Sequence, residues 1–355
     1  MSLRPGPLRP GPLRPGPEHF GPILAQYGLE CLDLTPVNSV YRSRAAFRVG
    51  TSLGPRLLKE FRHSGDSLVF SYRATEHLIG NGLKRLPRFH LTARGLPYTQ
   101  HQGKLFVVAD WVEGRNCDFT APEEAREAAR ALAEIHLGSI GFTCKEHIPG
   151  KERWGVWPER YRNQIKALQT WAPRAASGKK AFDRKFSANL GYFLRRGKQA
   201  LDLLEDGVYD RLVEKERGLR SFCHKDYTPS NVIRDPGGGI WAVDFDSCCH
   251  DLRAYDLAQL ITNSSGWEID RAVPVLEAYD RVSPISLEEL RLATALLGLP
   301  REFFWAGHLY YQRPHGDQSA RVADEILDRV LVEREKRETF LKDLTRIAYG
   351  SWDVA

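Results

Sequence analysis

The hydrophobic pattern of the chain changes its period near Gly114, and this change restricts the possible folds more than any other feature. Upstream, from Ile23 to Val112, short strand-like segments alternate with turn residues, and residues 64–82 have helical spacing. Downstream the pattern is mostly helical, with one sheet-forming patch at residues 221–247. A small β-rich part followed by a larger helical part predicts an α+β fold with two lobes.

The individual elements follow from hydrophobic spacing and from turn residues. Strands are predicted at residues 38–43, 45–50 and 55–61, a hairpin at residues 97–114, and helices near residues 121–137, 156–171, 182–205, 206–216, 251–263, 286–298, 301–312 and 321–347.

Three regions are predicted along the chain. Residues 1–20 form a disordered tail rich in proline and glycine, residues 21–112 a β-rich N-lobe with one helix, and residues 113–350 a helical C-lobe. The tail repeats LRPGP three times over residues 3–17. Proline removes backbone donors and glycine adds conformational freedom, so neither a helix nor a central strand is expected. A basic tether for a partner is the alternative to a passive tail.

Composition and charge narrow the possible partners and compartment. Lys+Arg 51 against Asp+Glu 45 leaves a net charge of +6, and no basic run is interleaved with aromatic residues, so no nucleic-acid partner is expected. No apolar run reaches the length of a membrane span, so no membrane partner is expected. None of the six cysteines falls in a C-x-x-C pair, which argues against zinc and predicts reduced thiols in the cytoplasm.

The candidate site lies in the sheet-forming patch, where polar residues interrupt apolar ones. The sequence has His224-x-Asp226-x4-Asn231, followed by Asp244 in the segment WAVDFDS. This spacing matches the kinase pattern H-R-D-x4-N and D-F-G. In that chemistry Asp226 acts on the acceptor hydroxyl, while Asn231 and Asp244 hold Mg2+, a hard cation that prefers oxygen ligands. Asp246, which replaces the glycine of D-F-G, assists the metal or caps the loop.

The alternative is that these residues only shape turns. Asp226 and Asn231 flank Pro229, and such side chains favour turns. Asp244 is harder to explain in this way, because it ends an apolar strand where an unpaired carboxylate is costly. We expect His224 to be a packed, hydrogen-bonded histidine in either case.

A kinase site also predicts nucleotide-binding residues in the N-lobe. A strand lysine contacts the phosphates of ATP, and a helix glutamate orients that lysine. Lys59 and Glu76 are the predicted pair. Asn38 and Ser39 are predicted to donate to the nucleotide in place of a glycine-rich loop, and Trp111 and Val112 to lie in the hinge that contacts the adenine.

These motifs resemble the aminoglycoside phosphotransferase/choline kinase group, in particular its CotS-type branch of spore coat proteins. The resemblance covers about residues 22–347 and rests on VYR…LLKEF, EHLIGNG, WVEGRNCDF, ARALAEIH, FDRKFSANLGYFL, FCHKDYTPSNVI and AVDFDSCCHDLRAYDLAQLI. It implies a bilobal protein-kinase-like fold, ATP and Mg2+ as cofactors, and a small-molecule hydroxyl as acceptor. It also implies a sporulating bacterium and a place on the developing spore coat.

Three residues carry expectations tied to this resemblance. Asp256 is structural in the group and braces the catalytic loop, whereas Asp251 is expected to cap a helix. Lys225 stands where the wider group commonly has glycine. It is expected to narrow the acceptor pocket or to contact a phosphate, which puts aminoglycoside and choline substrates in doubt.

Two functions from different classes remain open. The first is a small-molecule kinase that acts on a hydroxyl, for example of a sugar or a coat saccharide. The second is a structural spore coat protein that keeps the kinase fold with little or no turnover and binds other coat proteins. The full set of candidate catalytic residues favours the first, and the proline-rich tail favours the second.

Overall fold

A computed structural model describes residues 17–37, 46–144, 148–312 and 316–350. The chain divides into two compact units. The first unit contains Met1–Glu76 and Leu86–Glu113, and the second contains His77–Arg85 and Gly114–Ala355.

The first unit is built on an antiparallel sheet with the strand order β1-β2-β3-β5-β4. Its elements are α1 (Pro17–Ala25), β1 (Asp33–Pro36), β2 (Ala46–Thr51), β3 (Gly54–Phe61), α2 (Gly65–Gly80), β4 (Thr99–His101) and β5 (Lys104–Asp110), and the chain leaves the unit within α2.

Alternating burial explains why these segments pair as strands. In β2 every second residue is buried, and Phe47 and Val49 point into the core that also contains Phe20 of α1. The turn between β4 and β5 places Gln102 and Gly103 at φ 49° and 75°. Two successive residues with positive φ match the right-handed twist of a two-residue hairpin.

The second unit is mostly helical and contains the candidate catalytic patch. Its helices are α3 (Pro122–Gly138), α4 (Trp157–Ser177), α5 (Ala181–Leu204), α6 (Val208–Leu219), α7 (Ala254–Ser264), α8 (Ile269–Asp280), α9 (Leu287–Gly298), α10 (Arg301–Gly307), α11 (Gly316–Val332) and α12 (Arg334–Ala348). A small antiparallel sheet joins β6 (Arg115–Asn116), β7 (Val232–Arg234) and β8 (Ile240–Ala242). Short 3-10 turns cover Pro229–Asn231 and Phe245–Ser247, and a π-helical turn covers His308–Gln312.

Gly114, the first residue of the second unit after β5, is required because its backbone lies close to that of Arg234. Gly114 has φ +151°, and a Cβ placed on it would lie 2.3 Å from the carbonyl oxygen of Arg234. A larger residue at this position would push β6 away from β7.

Several sequence predictions need correction. Residues 17–20, which we assigned to the tail, begin helix α1, and Phe20 is buried there. Helix α8 was not predicted, because Pro274 interrupts its pattern. The helix predicted at residues 321–347 is two helices, α11 and α12.

Other sequence predictions hold, or fall outside the described residues. The strands predicted at residues 45–50 and 55–61 and the hairpin at residues 97–114 are present. The strand predicted at residues 38–43 and the LRPGP repeats before Pro17 lie outside the described residues. Within the described ranges, no helix is both long and apolar enough to cross a membrane.

Candidate active site

The second unit brings Asp226, Asn231 and Asp244 together through one peptide group. The backbone N–H of Val243 donates to the carbonyl of Asn231 at 3.0 Å. The carbonyl of Val243 accepts a hydrogen bond from Nε2 of His224 at 3.0 Å. Because Asp244 follows Val243 directly, both bonds fix the end of β8 beside the loop that carries the other two candidates.

Asn231 orients Asp226 and keeps its own oxygen for another ligand. Its Nδ2 donates to the backbone carbonyl of Asp226 at 2.9 Å and to Oδ2 of the same residue at 2.9 Å. The amide nitrogen is therefore committed, and Oδ1 is the atom that Asn231 can offer to a cation.

Two residues next to the candidate site have left-handed backbones. Lys225 has φ +67°, and Asp244 has φ +64°. A non-glycine residue in this region costs on the order of 1–2 kcal/mol, and such residues concentrate at functional sites. The left-handed conformation thus occurs at Asp244 itself and at the residue directly before Asp226.

A buried carboxylate braces the loop from the first turn of α7. Asp256 is fully buried, and it accepts the backbone N–H groups of His224 at 2.7 Å and of Lys225 at 2.9 Å. His136 on α3 donates from Nε2 to the same carboxylate at 3.1 Å. Complete burial opposes the charge of Asp256, but the hydrogen bond and charge of His136 hold its pKa below the usual aspartate value. The expected bracing role of Asp256 is confirmed.

His224 is a structural histidine, as expected. It is fully buried, its Nδ1 accepts the backbone N–H of Asp226 at 3.3 Å, and its Nε2 donates to Val243. Both ring nitrogens are thus engaged within the protein. His224 therefore links the segments that carry the two candidate aspartates through its hydrogen bonds.

The expectation that Asp251 caps a helix was wrong, and Lys225 is paired inside the protein. The Nζ of Lys225 lies 2.5 Å from Oδ2 of Asp251 and 3.1 Å from the centre of the Tyr255 ring. Asp251 caps no helix: its Oδ2 also accepts the indole N–H of Trp157 at 3.2 Å. Burial opposes the charge of Lys225, but Asp251 raises its pKa above the usual lysine value. Lys225 is thus held inside the protein instead of reaching a phosphate.

Two positioning residues escaped the sequence prediction. Lys151 donates to the backbone carbonyls of Asp246 at 2.9 Å and Cys248 at 2.8 Å, which fixes the turn after Asp244. Nothing in the local sequence distinguishes this lysine from a solvated one. His136 did leave a signal, because it is a polar residue on the apolar face of α3.

The predicted nucleotide residues belong to the first unit. Lys59 is buried on β3 opposite Val107 of β5, and the carboxylate of Glu76 lies 4.0 Å from Arg88. Trp111 and Val112 follow β5, and the indole N–H of Trp111 is buried without an acceptor among the described residues. Asn38 and Ser39 lie outside the described residues. The pairing of Lys59 with Glu76 stays a prediction.

The overall architecture matches that of solved phosphotransferases. The crystal structure of an aminoglycoside phosphotransferase from Alicyclobacillus acidocaldarius aligns with a TM-score of 0.81 at 23% identity, covering 96% of this chain and 98% of that chain. Spectinomycin phosphotransferase, solved in complex with ADP and spectinomycin, aligns with a TM-score of 0.54 at 13% identity, covering 94% and 96%. The fold is therefore that of the kinase-like phosphotransferases, and the predicted α+β, protein-kinase-like fold class is confirmed.

The chain belongs to the family described as "Spore coat putative kinase YutH", whose model matches residues 25–344. It is 26% identical over 330 residues to spore coat protein S of Bacillus subtilis, covering 92% of this chain and 93% of that protein. It is 24% identical over 252 residues to a homoserine kinase of Phenylobacterium zucineum, covering 66% and 69%. The resemblance to the CotS-type branch is confirmed.

Proposed function

We propose that this protein is an ATP- and Mg2+-dependent phosphotransferase that acts on a hydroxyl group of a small molecule. The observation that carries the proposal is the hydrogen-bonded set in the second unit. Asn231 holds Asp226 through its amide nitrogen, and the peptide of Val243 joins this pair to Asp244. This arrangement supports a site in which Asp226 is the orienting carboxylate and the oxygens of Asn231 and Asp244 suit Mg2+.

The roles follow from the chemistry of phosphoryl transfer. Asp226 orients the acceptor hydroxyl and receives its proton, while that oxygen bonds to the γ-phosphorus and the bond from phosphorus to the ADP oxygen breaks. Oδ1 of Asn231 and the carboxylate of Asp244 fit a hard cation, which when bound neutralises charge on the phosphates. Left-handed backbone at Asp244 and the clamp of Lys151 on the following turn keep that carboxylate in place.

The first unit supplies the proposed nucleotide residues. Lys59 would hold the phosphates, Glu76 would orient Lys59, and the segment with Trp111 and Val112 would contact the adenine. The relatives support this assignment: kinases occur among them, and spectinomycin phosphotransferase was solved with ADP.

A thermal-shift titration with ATP, with and without Mg2+, tests the proposal. At about 100 times its Kd, a ligand that binds only the folded state stabilises it by about 2.7 kcal/mol. We expect a Mg2+-dependent rise in Tm that is lost in Asp244→Asn. A matched control is Asp235→Asn, which alters an aspartate that caps the β7–β8 turn by accepting the N–H of Gly239 at 2.8 Å. The control should melt earlier but keep the full shift.

A second candidate function is favoured by family membership alone. The protein would then be a structural component of the spore coat with little or no turnover. No shift at millimolar nucleotide, in a protein that unfolds cooperatively, would overturn the kinase proposal and leave this alternative. A shift without ADP formation from any hydroxyl compound would mean that nucleotide binding is retained without catalysis.

A further inference from the structure

Arg301 is a partly buried arginine for which the described residues offer no carboxylate. It begins helix α10, and among the described residues its side chain donates one hydrogen bond, from an Nη to the hydroxyl of Tyr255 at 3.2 Å. The nearest acidic neighbour in sequence, Glu302, is already engaged by both Nη atoms of Arg337, at 2.8 Å and 2.9 Å. Arg301 therefore forms no ion pair with a carboxylate of the described residues.

Two other partly buried arginines of the second unit form ion pairs. Arg253 forms a two-pronged ion pair with Glu289, with one contact at 2.8 Å, and Arg337 does the same with Glu302. Removing a guanidinium from water without a counter-ion is costly, and a planar fork of donors matches a carboxylate or phosphate. Arg301 has no such ion pair among the described residues and lies beside Tyr255, so its guanidinium can bind an anion that comes from outside the chain.

Arg301 is close to the candidate catalytic loop through one aromatic ring. Its Cζ lies 5.4 Å from the centre of the Tyr255 ring, and Nζ of Lys225 lies 3.1 Å from the same centre. Lys225 precedes Asp226 in the chain, so Tyr255 connects this arginine to the residue proposed to orient the acceptor. Asp251 pairs with Lys225, so Arg301 is the one of these two cations that has no ion pair among the described residues.

An exposed aromatic surface continues from Arg301 along α10. Trp305 lies four residues further, which places it on the same helix face one turn away. It is 45% exposed, and its ring stacks on His308 at 5.1 Å with an interplanar angle of 21°. His308 opens the π-helical turn, a local distortion that is frequent at functional sites. A flat aromatic surface next to a cation suits a ring compound that carries an anionic group.

We propose that Arg301 and Trp305 form the acceptor subsite, and that the acceptor is an acidic sugar whose carboxylate or phosphate binds Arg301. This inference rests on the proposed phosphotransferase function and adds the chemical class of the acceptor. The sugar ring packs on Trp305, and its anionic group supplies the ion pair that Arg301 lacks among the described residues. Cationic acceptors are disfavoured, because Arg301 repels them.

Titration calorimetry with four matched probes tests the subsite: glucuronate, glucose 6-phosphate, glucose and glucosamine. Each probe is titrated into the full chain with Mg2+ and a non-hydrolysable ATP analogue, and again without nucleotide. We expect at least one acidic probe to bind about tenfold or more tightly than glucose, and glucosamine to bind weakest. The two acidic probes distinguish a carboxylate from a phosphate as the preferred group.

Variants assign the preference to a residue. Arg301→Gln should weaken the acidic probes about tenfold or more and leave glucose unchanged, whereas Trp305→Ala should weaken charged and neutral probes alike. The matched control is Arg334→Gln, because Cζ of Arg334 also packs on a tyrosine ring, at 5.3 Å from the centre of Tyr192. This control should behave as the unaltered protein.

Three results would overturn the inference. They are acidic probes that bind no better than glucose, acidic binding that survives Arg301→Gln, and no binding of either acidic probe. The arm without nucleotide separates this failure from that of the proposed function. Acidic probes that bind through Arg301 when ATP does not bind would keep the anion subsite and reject the kinase.

Discussion

Lys225 and Arg301 both contact the ring of Tyr255, yet only Lys225 has a carboxylate partner among the described residues. Lys225 is only 6% exposed and is paired with the fully buried Asp251, whereas Arg301 has no carboxylate within reach in the described chain. Lys225, which has an internal partner, stabilises the loop and is not available to bind a ligand. Arg301, which has none among the described residues, is available to bind an anionic ligand. Burial and charge alone would not separate these two roles, but the presence of a partner does.

The contrast between Lys225 and Arg301 predicts a large difference in stability. Lys225→Met leaves the buried Asp251 without its cation, so we expect a loss of about 3–5 kcal/mol in the free energy of unfolding. Arg301→Met removes a charge that has no ion pair among the described residues, so we expect a change of about 1 kcal/mol or less. Urea unfolding at neutral pH measures both values.

A double variant sharpens the same comparison. Lys225→Met combined with Asp251→Asn should recover part of the stability, because the stranded charge is gone. Equal losses for Lys225→Met and Arg301→Met would contradict the distinction between the two cations.

Asp256 provides a second internal partner whose removal should be costly. Asp256→Asn replaces a carboxylate that accepts N–H groups from His224, Lys225 and His136. We expect a loss of about 1.5–3 kcal/mol in the free energy of unfolding, because charge-assisted bonds to a buried group are removed. Hydrogen exchange should also speed up at the amides of His224 and Lys225.

The matched control for this prediction is Asp280→Asn. Asp280 accepts one backbone N–H at an exposed turn, at 2.7 Å. Its loss should cost less than that of Asp256, and exchange at the loop amides should stay unchanged. Similar losses at the two positions would mean that the loop does not depend on the buried carboxylate.

His250 should give a smaller, pH-dependent effect. Burial lowers the pKa of this histidine, whose ring centre lies 4.6 Å from that of Trp154 and whose Nδ1 donates to the carbonyl of Ser221 at 2.7 Å. The unfolded chain binds a proton at about pH 6.5 and the folded one only at lower pH, so stability is full above that pH and falls as the pH decreases.

The size of this effect is set by the shift in pKa. Each unit of depression costs about 1.4 kcal/mol once the pH is below the folded value. Thermal melts from pH 7.5 to pH 5 should show a steeper decline for the unaltered protein than for His250→Phe. The exposed His19 serves as control, and His19→Gln should keep the slope. A slope unchanged in His250→Phe would assign the decline to other groups.

Local patterns predicted most of the fold. The change of period at Gly114 separated strands from helices, and the alternation of β2 gave its buried face. Errors occurred where local rules were broken. Pro274 concealed helix α8, and composition extended the tail into α1, where burial of Phe20 against the sheet outweighs the proline-rich flank.

In the candidate site, too, local features were predicted from the sequence and long-range contacts were not. The spacing of Asp226, Asn231 and Asp244 follows from one local motif and was visible in the sequence. The partner of Lys225 was not, because Asp251 lies 26 residues away and its ion pair depends on tertiary contact. Lys151 is further still, since it reaches Asp246 across 95 residues of chain. The long-range partner of a polar residue cannot be predicted from the periodicity of the sequence.

The peptide of Val243 is held on both sides by groups of the loop, and this has a consequence for variation. Its N–H and its carbonyl do the positioning, while its side chain takes no part in either bond. Position 243 can therefore accept many side chains of similar size without moving Asp244. Proline is the exception, since it lacks the N–H that bonds to Asn231. Most substitutions of Val243 should therefore leave the geometry of the candidate site unchanged.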